Sequence, residues 1–146
     1  MNGRIMAVDP GEKRIGVAIS DETCSLARGL TVVAHVSMKA DCEKIVQLAK
    51  ENDVSVIIVG NPIDENGDER PQNRHAVKVA ETIAELSGLR TVLWDESGST
   101  KGAQSIRRQM GGSRDKRSGH LDEVAAALIL QSWLDNLHED EIYDAS

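Results

Sequence analysis

The stretch "IMAVDPGEKRIGVAIS" (residues 5–20) decides the fold. It opens on four apolar residues, meets a carboxylate at Asp9, turns at Pro10-Gly11 and enters a second apolar run. Residues 4–8 read as a buried strand. Ile15, Val17 and Ile19 alternate with smaller residues, as a half-buried strand does. Asp9-Pro10-Gly11-Glu12 fits a type II turn, with Pro fixing φ at the second position and Gly accepting φ > 0 at the third. The segment is a hairpin with a negative charge at its mouth.

Outward from the hairpin, a third strand is predicted around Arg28–Val36, completing an antiparallel meander. The period then changes. Asp41–Glu51 carries Ile45, Leu48 and Ala49 at helical spacing behind Asp41, a candidate cap. "VSVIIVG" (54–60) has the continuous apolar character of a parallel strand covered on both faces. Residues 61–74 read as a long polar loop, 74–87 as a helix and "RTVLW" (90–94) as a strand ending at Asp95-Glu96. Lys101–Met110 reads as a short helix and "GGSRDKRSG" (111–119) as a basic loop. Leu121–Leu137 is the clearest helix, with a wide apolar stripe through Val124, Ala125, Leu128, Ile129 and Leu134. This order predicts an α/β fold: a mixed five-stranded sheet, made of a three-stranded antiparallel meander plus parallel strands, with helices on both faces. It also predicts one domain over residues 1–138 and an acidic, frayed tail over 139–146.

Composition narrows the function. Aromatic residues are Trp94, Trp133 and Tyr143, with no Phe, so a base-stacking platform is hard to build. The net charge of −7 argues against nucleic acid until its distribution is considered. Residues 135–146 hold five acids and no Lys or Arg, which leaves 19 acids against 17 bases in the body. Cys24 and Cys42 have no metal spacing and read as reduced thiols of a cytoplasmic protein. No run approaches the ~18 apolar residues of a membrane helix, so no membrane partner is expected.

Carboxylates recur at strand and helix ends: Asp9 after the first strand, Asp95-Glu96 after the last, and Asp122 in the expected first turn of the final helix. If the first and last strands are neighbours and the helix crosses their ends, these groups converge. Converging carboxylates repel, and a pair of Mg²⁺ or Mn²⁺ ions relieves that repulsion while binding substrate phosphate. Two ions about 3.5–4 Å apart suit phosphodiester cleavage. Taken singly, Asp9 also fits the first position of a turn, and Asp122 also fits a helix-dipole partner. Arg107, Arg108, Arg114, Lys116 and Arg117 cluster between the last two predicted helices and form a candidate backbone-tracking patch, or a solvated helix end. His120 beside Asp122 is a candidate ligand or proton shuttle, whereas His35 and His75 have no carboxylate or Cys partner at metal spacing.

"MAVDPGEKRIGVAISD" (6–21), "IIVGNPIDENGDE" (57–69), "WDE" (94–96) and "HLDEVAAALILQSWLD" (120–135) together resemble the YqgF family. Its members are RNase H-like proteins described as Holliday junction resolvases and as nucleases for the 5′ end of pre-16S rRNA. The resemblance covers residues 3–137. It implies an RNase H-like fold, with catalytic, metal-holding acids at Asp9, Glu96 and Asp122. It also implies that Lys13 and Arg14 lie near the site and that Asn61-Pro62 opens a loop beside it.

The implied function is a metal-dependent endonuclease on structured nucleic acid, first of all on pre-16S rRNA. The alternatives are a Holliday junction resolvase on branched DNA, expected to act as a homodimer, and a non-catalytic nucleic-acid or ribosome-assembly binder. One departure from the family pattern supports the last alternative: the Arg expected after Asp95-Glu96 is Ser97. Arg grips two phosphate oxygens at once, and Ser does not. An Asp-Pro-Gly hairpin also occurs in ATP-binding kinases of the actin class, but that architecture needs two domains.

Overall fold

The structure is a computed structural model and describes residues 3–11, 13–61, 71–95 and 114–145. Its elements are β1 (Arg4–Pro10), β2 (Arg14–Ser20), β3 (Ala27–Ala34), α1 (Met38–Glu51), β4 (Val54–Asn61), α2 (Pro71–Ser87), β5 (Arg90–Asp95) and α3 (Arg114–Ala145). The strands form one five-stranded sheet in the order β3-β2-β1-β4-β5. β1 pairs antiparallel with β2 and parallel with β4; β2–β3 is antiparallel and β4–β5 parallel. The meander and the mixed sheet are as the sequence predicts.

β1 and β4 are apolar throughout because both of their faces are covered. Met6, Val8, Ile15, Val17, Ile57 and Val59 pack beneath α1 and α2. Ile5, Ala7, Ala18, Val56 and Ile58 pack against Ala126, Ile129, Leu130, Trp133 and Leu134 of α3. Small residues on the second face let α3 lie close to the sheet, across β2 and β3 and the adjoining edge of β1. Among the described residues no helix is long and apolar enough to cross a membrane.

Several boundaries differ from the sequence reading, each for a local reason. β1 runs through Pro10, which pairs with Ile15, and the Gly11 amide donates to the Arg14 carbonyl at 3.1 Å. The reversal therefore lies beyond Asp9. Gly11 is not at positive φ, and a Cβ on it would stand 2.4 Å from the Arg14 oxygen, so glycine serves close approach here. α1 is capped by Ser37, whose hydroxyl accepts from the Ala40 amide at 3.1 Å; Asp41 is instead a buried residue of the first turn. α2 starts at Pro71, where a missing N–H costs nothing. α3 runs from Arg114 to Ala145, longer at both ends than the helix expected over Leu121–Leu137. The predicted helix over residues 101–110 lies outside the described residues.

Candidate active site

Strand alternation places Asp9. Ile5 and Ala7 face α3 while Met6 and Val8 face the other layer, so Asp9 falls on the α3 side. It is half-buried and pairs across the ladder with Gly16 of β2. Directly opposed residues in such a pair have Cα atoms roughly 4.5–5.5 Å apart.

Gly16 has no side chain because α3 occupies the space. A Cβ there would lie 2.0 Å from the Asp122 carbonyl oxygen and 2.6 Å from its carbonyl carbon. The next glycine position facing α3, Gly29 on β3, does the same for Glu123, whose Cβ would be 2.9 Å from an added methyl. The main chain of α3 thus rests on β2 at the residue opposite Asp9. Two acids distant in sequence are set at one rim by backbone contact.

The turn reading of Asp9 and the helix-dipole reading of Asp122 do not fit this geometry. Asp9 is a paired strand residue, not the first residue of a turn. Asp122 lies about two turns inside α3, beyond the reach of the helix-end dipole. Arg14, on the same face as Gly16, brings its Nε to 3.7 Å from Asp122 Oδ2, with side chains 41% and 29% exposed. That exposure makes it a screened pair worth up to about 1 kcal/mol. Lys13 stands exposed at the hairpin tip.

The rest of the predicted constellation is placed only in part. β4 lies between β1 and β5, so the first and last strands are not neighbours as the convergence argument required. Two strand spacings put them roughly 9–10 Å apart. β5 reaches the rim with Gly60 opposite Trp94 and Asn61 opposite Asp95, and Trp94 packs on the α3 side. Glu96, the next residue, lies outside the described residues, as do Ser97, Arg107 and Arg108. Arg114, Lys116 and Arg117 fall on the first turns of α3 rather than in a loop. His120 has its backbone in α3, one turn before Glu123. Among the described residues no group of three metal-ligating side chains is assembled; Asp9, as its ladder partner, and Asp122, through its main chain, both border Gly16. Their carboxylate oxygens are the donors that hard divalent ions take.

One linked pair escaped the sequence reading. His35 Nδ1 lies 2.5 Å from Asp41 Oδ2, and Asp41 Oδ1 accepts from the Val36 amide at 2.9 Å. Burial alone would raise the Asp41 pKa, but the Val36 amide and the His35 imidazole outweigh it and hold the carboxyl below its ordinary value. The signal was Ser37: once it is taken as the cap, Asp41 is free to turn back toward the strand.

The fold is that of the RuvC-like resolvases. The chain matches T. thermophilus RuvC in complex with Holliday junction substrate at TM-score 0.55 and 14% identity, over 93% of this chain and 96% of that one. The family model RuvX, described as Holliday junction resolvase, matches residues 3–136, and the chain belongs to that family. It is 42% identical to a "Putative pre-16S rRNA nuclease" of Thermoanaerobacter pseudethanolicus, over 91% of this chain and 96% of the relative. A protein of the same name from Myxococcus xanthus is 39% identical, over 90% and 87%.

Proposed function

We propose that this protein is a metal-dependent phosphodiester hydrolase of the cytoplasm that cuts structured nucleic acid, with the 5′ end of pre-16S rRNA as its substrate. The observation that carries the reading is the seating of Asp122 on Gly16, the ladder partner of Asp9. Two half-buried carboxylates at one sheet rim offer oxygen donors of the kind hard divalent ions take, and Arg14, with its Nε 3.7 Å from Asp122 Oδ2, shares that rim.

Asp9 and Asp122, with Glu96 as the third acid, would hold Mg²⁺ or Mn²⁺. When bound, such ions activate water and stabilise the leaving oxygen. Arg14 and Lys13 then hold the phosphate backbone from the hairpin, and Arg14 exchanges its Asp122 partner for a phosphate oxygen. Arg107, Arg108, Arg114, Lys116 and Arg117 extend the grip along the strand. The names borne by the relatives favour rRNA; the family description favours a four-way junction.

The test is cleavage by purified protein, with Mg²⁺ or Mn²⁺, of a pre-rRNA 5′ fragment and of a four-way DNA junction. Cleavage of the RNA, lost in Asp9→Asn, supports the reading; preference for the junction, by a homodimer, moves it to resolvase. Ser97 in place of the family's Arg favours a second reading, a non-catalytic binder. That reading expects salt-sensitive binding, unchanged in Asp9→Asn, with no cutting.

A further inference from the structure

The β1–β2 tip is held from behind. The His35 amide donates to the Lys13 carbonyl at 2.9 Å, continuing the β2–β3 ladder one residue past the Arg14–Ala34 pair. His35 and Val36 form the link between β3 and α1, and both are tied to Asp41. Its two carboxylate oxygens take the His35 imidazole and the Val36 amide separately. The Asp41 side chain is 5% exposed, against 41% for His35. The carboxylate is therefore fixed by its surroundings, while the imidazole sits at the surface beside the tip.

A buried carboxylate is tolerated when its oxygens are paired, and here one short link takes both of them, so the carboxylate and the link fix each other. What the link holds is the carbonyl of Lys13, between the two side chains assigned to the phosphate backbone. The α1 side of the sheet contains no other described residue bonded to the tip; Gly11 and Arg14 bond each other within it.

We propose that Asp41 and His35 are positioning residues: a strut from the first turn of α1, through the β3–α1 link, that sets where Lys13 and Arg14 stand relative to Asp9 and Asp122. This rests on the reading of Lys13 and Arg14 as backbone contacts. The charged groups around the strut are Lys13 on the hairpin and Lys44, which shares a groove wall with Asp41 on α1.

The test uses His35→Ala, which removes a half-exposed ring and leaves Asp41 bonded to Val36, and His35→Asn, which keeps a donor near the Nδ1 position. Amide exchange at residues 11 and 35 is read beside core amides of β4. Binding to a structured RNA is measured without divalent ions, so that no cleavage is needed. In His35→Ala, exchange at both amides rises about tenfold and Kd weakens roughly three- to tenfold, the size of one ordinary lost hydrogen bond. With ions present, KM rises by a similar factor and kcat stays within about twofold, since the ligands are untouched. His35→Asn restores all three.

Unchanged exchange in His35→Ala overturns the strut. Faster exchange with unchanged Kd overturns its positioning role, and so does a Kd loss that His35→Asn fails to restore. Failure of the nuclease reading shows separately, as cutting unaffected by Asp9→Asn, and leaves the exchange and binding results to be judged alone.

Discussion

Replacing Gly16 by alanine tests the contact on which the site is built. The new methyl would meet the Asp122 carbonyl oxygen at 2.0 Å, and ordinary contact begins near 3.4 Å, so α3 must retreat by about 1.4 Å. The obstacle is helix backbone, so no rotamer change relieves it. Overpacking of this kind costs about 1–3 kcal/mol, which for a domain of this size lowers Tm by roughly 3–10 °C. The retreat moves Asp122 away from Asp9, and a misplacement near 1 Å costs about 100-fold in rate. The assays are thermal melting and cleavage of a labelled pre-rRNA fragment with Mn²⁺. Gly88→Ala is the control: φ is +69° and nothing lies within 4 Å of the added Cβ. Strain alone should cost it about 1–2 kcal/mol and leave turnover intact. If Gly16→Ala melts with the parent, α3 is not seated on β2. If it is destabilised yet cleaves normally, the place of Asp122 is irrelevant to the reaction.

Acid should unfold the protein partly through Asp41. Its folded pKa lies below the unfolded value, so its contribution is complete above the unfolded pKa, near 4, and is lost as pH falls through the folded one. Urea titrations between about pH 7 and pH 3 should show a shallower acid limb in Asp41→Asn than in the parent. Cys42 is fully buried, and burial, with a smaller effect from Asp41, raises its pKa to about 11. At pH 8 its thiolate fraction is on the order of one in a thousand, so iodoacetamide should label it only after denaturant is added, as read by peptide mass. Arg14→Gln should change stability by less than about 1 kcal/mol, because the pair with Asp122 is solvent-screened. The same change should lower the slope of log Kd for RNA against log salt by about one.

The hairpin and the parallel strand were legible because burial on two faces writes itself as an uninterrupted apolar run, as in Ile5–Val8 and Val56–Val59. The order of the strands was not, since adjacency is decided by crossover connections that leave no mark on composition. The acids could be nominated from the rim positions of Asp9 and Asp122. Their meeting could not, because it depends on a close approach between Gly16 and a helix far away in sequence. The glycine was visible in "RIGVAIS" (14–20), but an alternating strand with one small residue looks the same whether that residue meets a helix or a void. The Asp41–His35 pair was hidden for the opposite reason. A strong local rule made Asp41 a helix cap, and Ser37, four residues earlier, satisfied that rule first.

The two halves of the proposed site are therefore held by different means. Asp9 is fixed by a ladder pair and Asp122 by main-chain contact, so the spacing of the acids is a property of the sheet and helix and tolerates little adjustment. Lys13 and Arg14 stand on a hairpin tip whose described external main-chain tie is one amide donated from His35, with the screened Arg14–Asp122 pair beside it. Ions demand fixed oxygens, whereas a backbone of variable shape demands cations that can follow it. A single main-chain tie at the tip suits the second demand, and the buried Asp41 limits how far the tip can wander. It follows that changes at Gly16 should act on turnover and changes at His35 on affinity. A variant at either place that moved both equally would mean the hairpin and the acids behave as one rigid body.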